Sequence, residues 1–162
     1  MSVEKEKNFV SCIIYLHNDE DQVCDFMKRI CGIMKQNFDK YEIICVNDGC
    51  MDDTVKEIKR YQEESGDTHA LSLINLSYYQ GMEAAMNAGR DLAVGDFLFE
   101  FDQCSMDFEE DLVMKVYRRA LEGYDVVLFV RLVPLTTIAE ERKFAFSAQT
   151  RLLLSIIRIL QS

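Results

Sequence analysis

The chain has 162 residues, which at roughly 100 to 200 residues per domain makes one domain with a sizeable core and excludes two full ones. Hydrophobic residues make up 49% and charged residues 28%, an ordinary globular balance that excludes a disordered, collagen-like or low-complexity chain. Eighteen Lys and Arg stand against 28 Asp and Glu, a formal charge of -10; like charge repels phosphate backbones, so no nucleic-acid partner is expected.

Residues 9 to 16, FVSCIIYL, read as a strand buried on both faces. The chain then turns through HNDED, where Asn18 is expected to cap a helix on which Val23, Phe26, Met27, Ile30 and Met34 recur at helical spacing. The unit repeats as YEIICV at 41 to 46, the turn NDGC, and a helix carrying Val55, Ile58 and Tyr61 that Asp52 or Asp53 would cap. ALSLINL gives a third strand, and GMEAAMNAGRDLA a third helix. DFLFEF at 96 to 101 is a fourth strand, Leu112, Val113, Val116 and Ala120 mark a fourth helix, and YDVVLFVRL at 124 to 132 is a fifth strand. Such alternation predicts an α/β, Rossmann-like fold: a mainly parallel sheet of about five strands, helices on both faces, right-handed crossovers.

The only proline, Pro134, marks a boundary between a domain over 1–134 and a tail over 135–162. In the tail, Leu152, Leu153, Ile156, Ile157 and Leu160 form a stripe at helical spacing, with Arg151 and Arg158 beside it. It is expected to be an amphipathic helix, used for homo-oligomerisation through residues 140–162 or for docking on an anionic membrane surface. The stretch is too short and too charged to span a bilayer. The start, MSVEKEKN, lacks the pattern of an export signal. A cytoplasmic location, with peripheral contact on the inner membrane face as a variant, is therefore expected, and the six cysteines (Cys12, Cys24, Cys31, Cys45, Cys50, Cys104) are expected as free thiols, mostly buried.

Ligands of an open parallel sheet bind at the carboxyl ends of the strands, where strand order reverses. Asp19 follows the first strand, Asp48 the second and Asp102 the fourth. Any one of them is explained by the preference of Asp for turns; all three together predict an acidic rim that accepts hydroxyl or imide donors of a sugar or base.

These segments resemble the family 2 glycosyltransferases of GT-A fold. HNDE is similar to the family's Asn-Glu-Glu turn, YEIICVNDGCMDDT to its YEIIxVNDGSxDxT segment, and GMEAAMNAG to GxxxAxNxG, while FLFEFDQCSMDFEEDL takes the place of its acidic DxD motif. The resemblance spans residues 9 to about 131. It implies a nucleotide-sugar site in which Asn18 and Asp19 lie along the nucleoside and Asp48 accepts from the base edge, a uracil imide above all. Gly81, Ala85, Asn87 and Gly89 would line the cleft or let the third helix pack closely. Asp102 would be the first acid of DxD, touching ribose or a divalent Mn or Mg ion.

The second acid, the family's direct metal ligand, is Cys104 here, and a thiol is a poor ligand for an oxygen-preferring ion. Tyr78 and Tyr79 replace the usual basic residue and Asn before GxxxAxNxG. Two functions follow from the resemblance: transfer of a hexose from a nucleotide sugar, UDP-linked in preference, to a lipid-phosphate or polysaccharide acceptor, or a catalytically impaired relative serving as a binding or assembly subunit.

Overall fold

The computed structural model describes residues 4–66, 71–105, 107–132 and 153–161. In chain order these form β1 (Glu6–Leu16), α1 (Val23–Asn37), β2 (Phe38–Asn47), α2 (Thr54–Ser65), β3 (Leu71–Asn75), α3 (Met82–Leu92), β4 (Phe97–Phe101), α4 (Asp111–Ala120), β5 (Val126–Leu132) and β6 (Leu153–Gln161). One six-stranded sheet runs in the order β3-β2-β1-β4-β6-β5. The β3, β2, β1 and β4 neighbours are parallel, and β6 is antiparallel to both β4 and β5.

Alternation along the strands divides the core into two layers. Val10, Cys12, Ile14 and Leu16 of β1 and Ile43 and Cys45 of β2 join α1, α2 and α4 in the larger one, whereas Ile13, Ile44 and Val46 face Ala85 and Met86 of α3 in the smaller. The chain winds outward from β1 to β3 and then returns past β1 to β4. With crossovers of one hand, that reversal puts α3 on the face opposite α1 and α2. Gly89 is what lets α3 lie close: a Cβ there would overlap Ile13 Cγ2 and come within 3.2 Å of Val46 Cγ2. In the larger layer Phe38, Phe97, Phe99 and Tyr117 meet mostly edge to face, with centroids 5.0 to 6.4 Å apart.

Two sequence expectations are corrected. Residues 153–161 form β6, not an amphipathic helix. A strand between two others can be apolar at almost every position, and a short apolar run of that kind satisfies helical spacing as well. Ile159 is buried in the larger layer and Leu160 packs on the smaller, so this part of the expected tail belongs to the sheet. The rest of the expected tail, residues 135–152 and 162, lies outside the described residues. Asn18, secondly, does not cap α1, whose N-cap position is Gln22 with no side-chain cap. Asn18 instead takes a left-handed backbone, φ 60°, and serves the neighbouring loop. All six cysteines are free, with Cys12, Cys31, Cys45 and Cys104 buried.

Candidate nucleotide-sugar site at the carboxyl rim

Strand order reverses between β1 and β4, so the crevice lies between the loops that follow them. Registers place the acids on that rim. Ile14 pairs with Phe101 and Leu16 with Asn47, which sets Asp102 and Asp48, each one residue beyond its strand, beside the end of β1 and the start of Asp19's loop.

The β1–α1 and β2–α2 loops are bound to each other by reciprocal hydrogen bonds. Asn18 N–H donates to Cys50 Sγ at 3.2 Å, and Asn18 Oδ1 accepts from Met51 N–H at 2.8 Å. Asp19 N–H donates to Thr54 Oγ1 at 2.7 Å, and Glu20 N–H to Asp52 Oδ2 at 3.1 Å, while Glu20 Oε2 accepts from Asp53 N–H at 2.8 Å. Asp52 also accepts from Thr54 N–H and Oγ1 at 3.0 and 2.6 Å, closing the start of α2. Partial burial raises the Asp52 carboxyl, but these donated hydrogen bonds outweigh it and leave it below the ordinary carboxylate value. Asp19 goes the other way: burial raises it, against the lowering effect of the His17 N–H bond.

Asp48 is wholly buried. Its Oδ1 accepts from Gln80 N–H at 2.7 Å, and its Oδ2 from Gly81 N–H at 2.9 Å and Tyr15 Oη at 3.0 Å. In this structure the carboxylate, expected at a base edge, turns inward and holds the β3–α3 loop onto the rim. Its neighbour Gly49, at φ 66°, is where that loop passes closest. A Cβ on Gly49 would sit 2.6 Å from Tyr79 N and 2.9 Å from Tyr78 C, so only glycine admits this approach. Gly81, at φ 92°, meets Asp48 through its N–H and starts α3. Asn87 lies on the exposed side of α3, where its Oδ1 accepts from Arg90 Nη1 at 2.5 Å. Arg90 forms a two-point ion pair with Glu100, itself buried in β4. Asn87 thus braces a helix-to-strand tie in this structure.

On the β4 side Asp102 is half-buried, whereas Cys104 is buried in the larger core layer, its thiol turned toward the Tyr15 carbonyl at 3.9 Å. Burial, and after it the nearby Asp19 carboxylate, raises that thiol well above its usual value, so it stays protonated. A protonated, buried thiol does not fit a hard divalent ion, and among the described residues no cluster of three or more His, Cys, Asp or Glu side chains is placed to hold a metal.

Sequence reasoning missed His17 and Tyr15 as site residues. His17 follows β1 directly, with Nδ1 3.0 Å from the Asp48 carbonyl oxygen. A carbonyl only accepts, so Nδ1 carries the proton in that contact. Its ring centroid lies 4.8 Å from that of Tyr79. The signal available was the aromatic residue beside the Asn of the first turn.

Known proteins bear on this rim. A mannosyltransferase from Pyrobaculum calidifontis, solved with GDP-Man and Mn2+, superposes with a TM-score of 0.63 at 19% identity, over 76% of this chain and 35% of that one. Glucosyl-3-phosphoglycerate synthase from Mycobacterium tuberculosis, solved with Mn2+, UDP-Glc and phosphoglyceric acid, gives 0.61 at 14% identity, over 95% of this chain and 57% of that one. At these identities the likeness is one of fold. An uncharacterised glycosyltransferase of Synechocystis sp. is 34% identical over 123 residues, which is 75% of this chain and 37% of that protein. An undecaprenyl-phosphate 4-deoxy-4-formamido-L-arabinose transferase of Pseudomonas fluorescens is 31% identical over 122 residues, 75% of this chain and 35% of that protein. The chain thus spans little more than a third of the length of these relatives. The profile described as Glycosyl transferase family 2 matches residues 11–153, from the middle of β1 through β5, and the chain belongs to that family, with its GT-A fold.

Proposed function

We propose that this chain is the donor-binding portion of a glycosyltransferase that moves a hexose from a nucleotide sugar, UDP-linked or GDP-linked, to a lipid phosphate. The observation that supports this best is the braced rim at the strand-order reversal, where the Asn18–Glu20 turn, the Asp48 hook and Asp102 share one edge of the sheet. The relatives named as undecaprenyl-phosphate transferases favour a lipid phosphate over a polysaccharide, and the donors held by fold neighbours favour a nucleoside diphosphate carrier. In the reaction an acceptor phosphate oxygen attacks the anomeric carbon, the bond from that carbon to the diphosphate breaks, and the nucleoside diphosphate leaves. An ionised phosphate needs no base to deprotonate it. The chain's own part is to fix the carrier against the rim; no step is assigned to a metal ion.

A second reading, a catalytically impaired binding subunit, is favoured by Cys104, because the place of a metal-holding acid is taken by a buried thiol. Calorimetric titration of UDP and UDP-sugars, with and without Mn2+, tests both. Binding is expected without the ion, and no heat under any condition overturns the nucleotide reading. Cys104→Asp sharpens the choice. If it makes UDP affinity depend on Mn2+, the missing acid is what impairs the site; unchanged affinity removes the argument from Cys104.

A further inference from the structure

The described rim displays a group of large, exposed side chains that the acids do not account for. Tyr79 is 60% exposed, Tyr78 68% and Met51 94%, on three adjoining turns with the His17 ring among them. Exposed aromatics on a mobile loop mean little, but this backbone is fixed. Asp48 takes both N–H groups that follow Tyr79, at Gln80 and Gly81, and Gly49 presses against the Tyr78–Tyr79 peptide from below. Met51 is likewise fixed through its N–H to Asn18. Asp48, meanwhile, has no surface left for a ligand.

From this we infer that Tyr79, backed by His17, is the surface on which the nucleobase stacks, and that the base is gripped by its face instead of by a carboxylate on its edge. The inference rests on the nucleotide-sugar reading above and adds to it the binding residue and its selectivity. Every base has a π-face, so stacking tolerates different bases. A site that uses it without an edge-reading acid accepts UDP and GDP with similar affinity, whereas a carboxylate reading a uracil imide rejects guanine.

The experiment is a titration of the full chain with UDP and GDP, repeated on Tyr79→Ala and Tyr79→Phe. Loss of the ring is expected to weaken UDP about tenfold, and Tyr79→Phe to stay within about twofold, as stacking without a hydroxyl contact requires. Proton spectra supply a readout that loop loosening alone would not give. Uracil H5 and H6 are expected to move upfield on binding the natural chain and Tyr79→Phe, and to lose that shift with Tyr79→Ala. If the natural chain binds UDP but Tyr79→Ala binds it equally well, or the base protons do not move, or GDP is rejected, the stacking inference falls and the nucleotide reading stands. If neither nucleotide binds the natural chain, the nucleotide reading itself falls, and the stacking inference with it.

Discussion

The two sides of the sheet are finished differently. On the β1–β2–β3 side, loops are cross-braced by side chains to backbone, and α3 covers the smaller core layer over β1 and β2. On the β4–β6–β5 side, that same face keeps Val126 and Leu128 about half exposed, and α3 is tied to β4 by the Arg90–Glu100 pair and by Leu98, which shares the smaller layer with Ala85 and Met86. A backbone held by buried acceptors cannot shift without exposing them unpaired, whereas half-exposed apolar side chains impose no such constraint. The braced half is where a rigid ligand would be held.

The hardest blow to that contrast is Gly49→Ala. The new methyl would meet the Tyr78–Tyr79 backbone at a residue already at positive φ, so both steric overlap and backbone strain oppose it, together about 3 kcal/mol. Urea unfolding should show a loss of that order, accompanied by loss of UDP binding. A variant as stable as the parent would mean that the loop is not pinned where the structure puts it.

Arg90→Met tests the other half. It strands the Glu100 carboxylate, which is only 4% exposed at its side chain, and breaking such a pair on one side costs about 2 to 3 kcal/mol once the partial exposure of Arg90 is allowed for. Adding Glu100→Gln should recover much of it, since a neutral amide is cheaper to bury than an unpaired charge. The pair sits two residues before Asp102, so the single variant should also loosen whatever Asp102 holds. Equal stability of the single and double variants would show that the pair contributes through packing alone.

What could be read beforehand follows the same divide. β1 and β2 were legible because strands buried on both faces are apolar throughout, and the helices after them carry a clear 3.6-residue stripe. β6 was not, because Leu153, Ile156, Ile157 and Leu160 fit a helix stripe and a strand equally, and only pairing with Phe97–Phe101 and Val126–Leu132 decides between them. At the site, the positions of Asp19, Asp48 and Asp102 along the rim followed from strand ends, but the direction of the Asp48 carboxylate did not. It depends on where Gln80 and Gly81 return, a contact made 32 and 33 residues away. Cys104 shows the same gap: the sequence marks a missing acid, and only packing shows that the thiol faces the core.

The smallest expected effect is a titration within the braced loops. Asp19 is raised by burial, so its folded carboxyl binds a proton at higher pH than the unfolded one, and its charge costs stability at neutral pH. That cost is relieved as pH falls through the folded value toward the unfolded one near about 3.9. Asp52 is lowered in net, so its contribution is present above about 3.9 and lost only as pH falls below that through the folded value. Asp19→Asn keeps an oxygen for the His17 N–H and removes the charge. Its stability relative to the parent, followed by urea unfolding at constant salt, should therefore be highest at neutral pH and shrink as pH falls toward about 4, while Asp52→Asn should lose most at neutral pH and recover in the acid. Taking differences cancels the general effect of discharging a chain of net charge -10. A flat difference for Asp19→Asn between neutral pH and about 4 would mean that solvent reaches this carboxylate freely, and that the rim is less tightly closed around the first turn than its hydrogen bonds require.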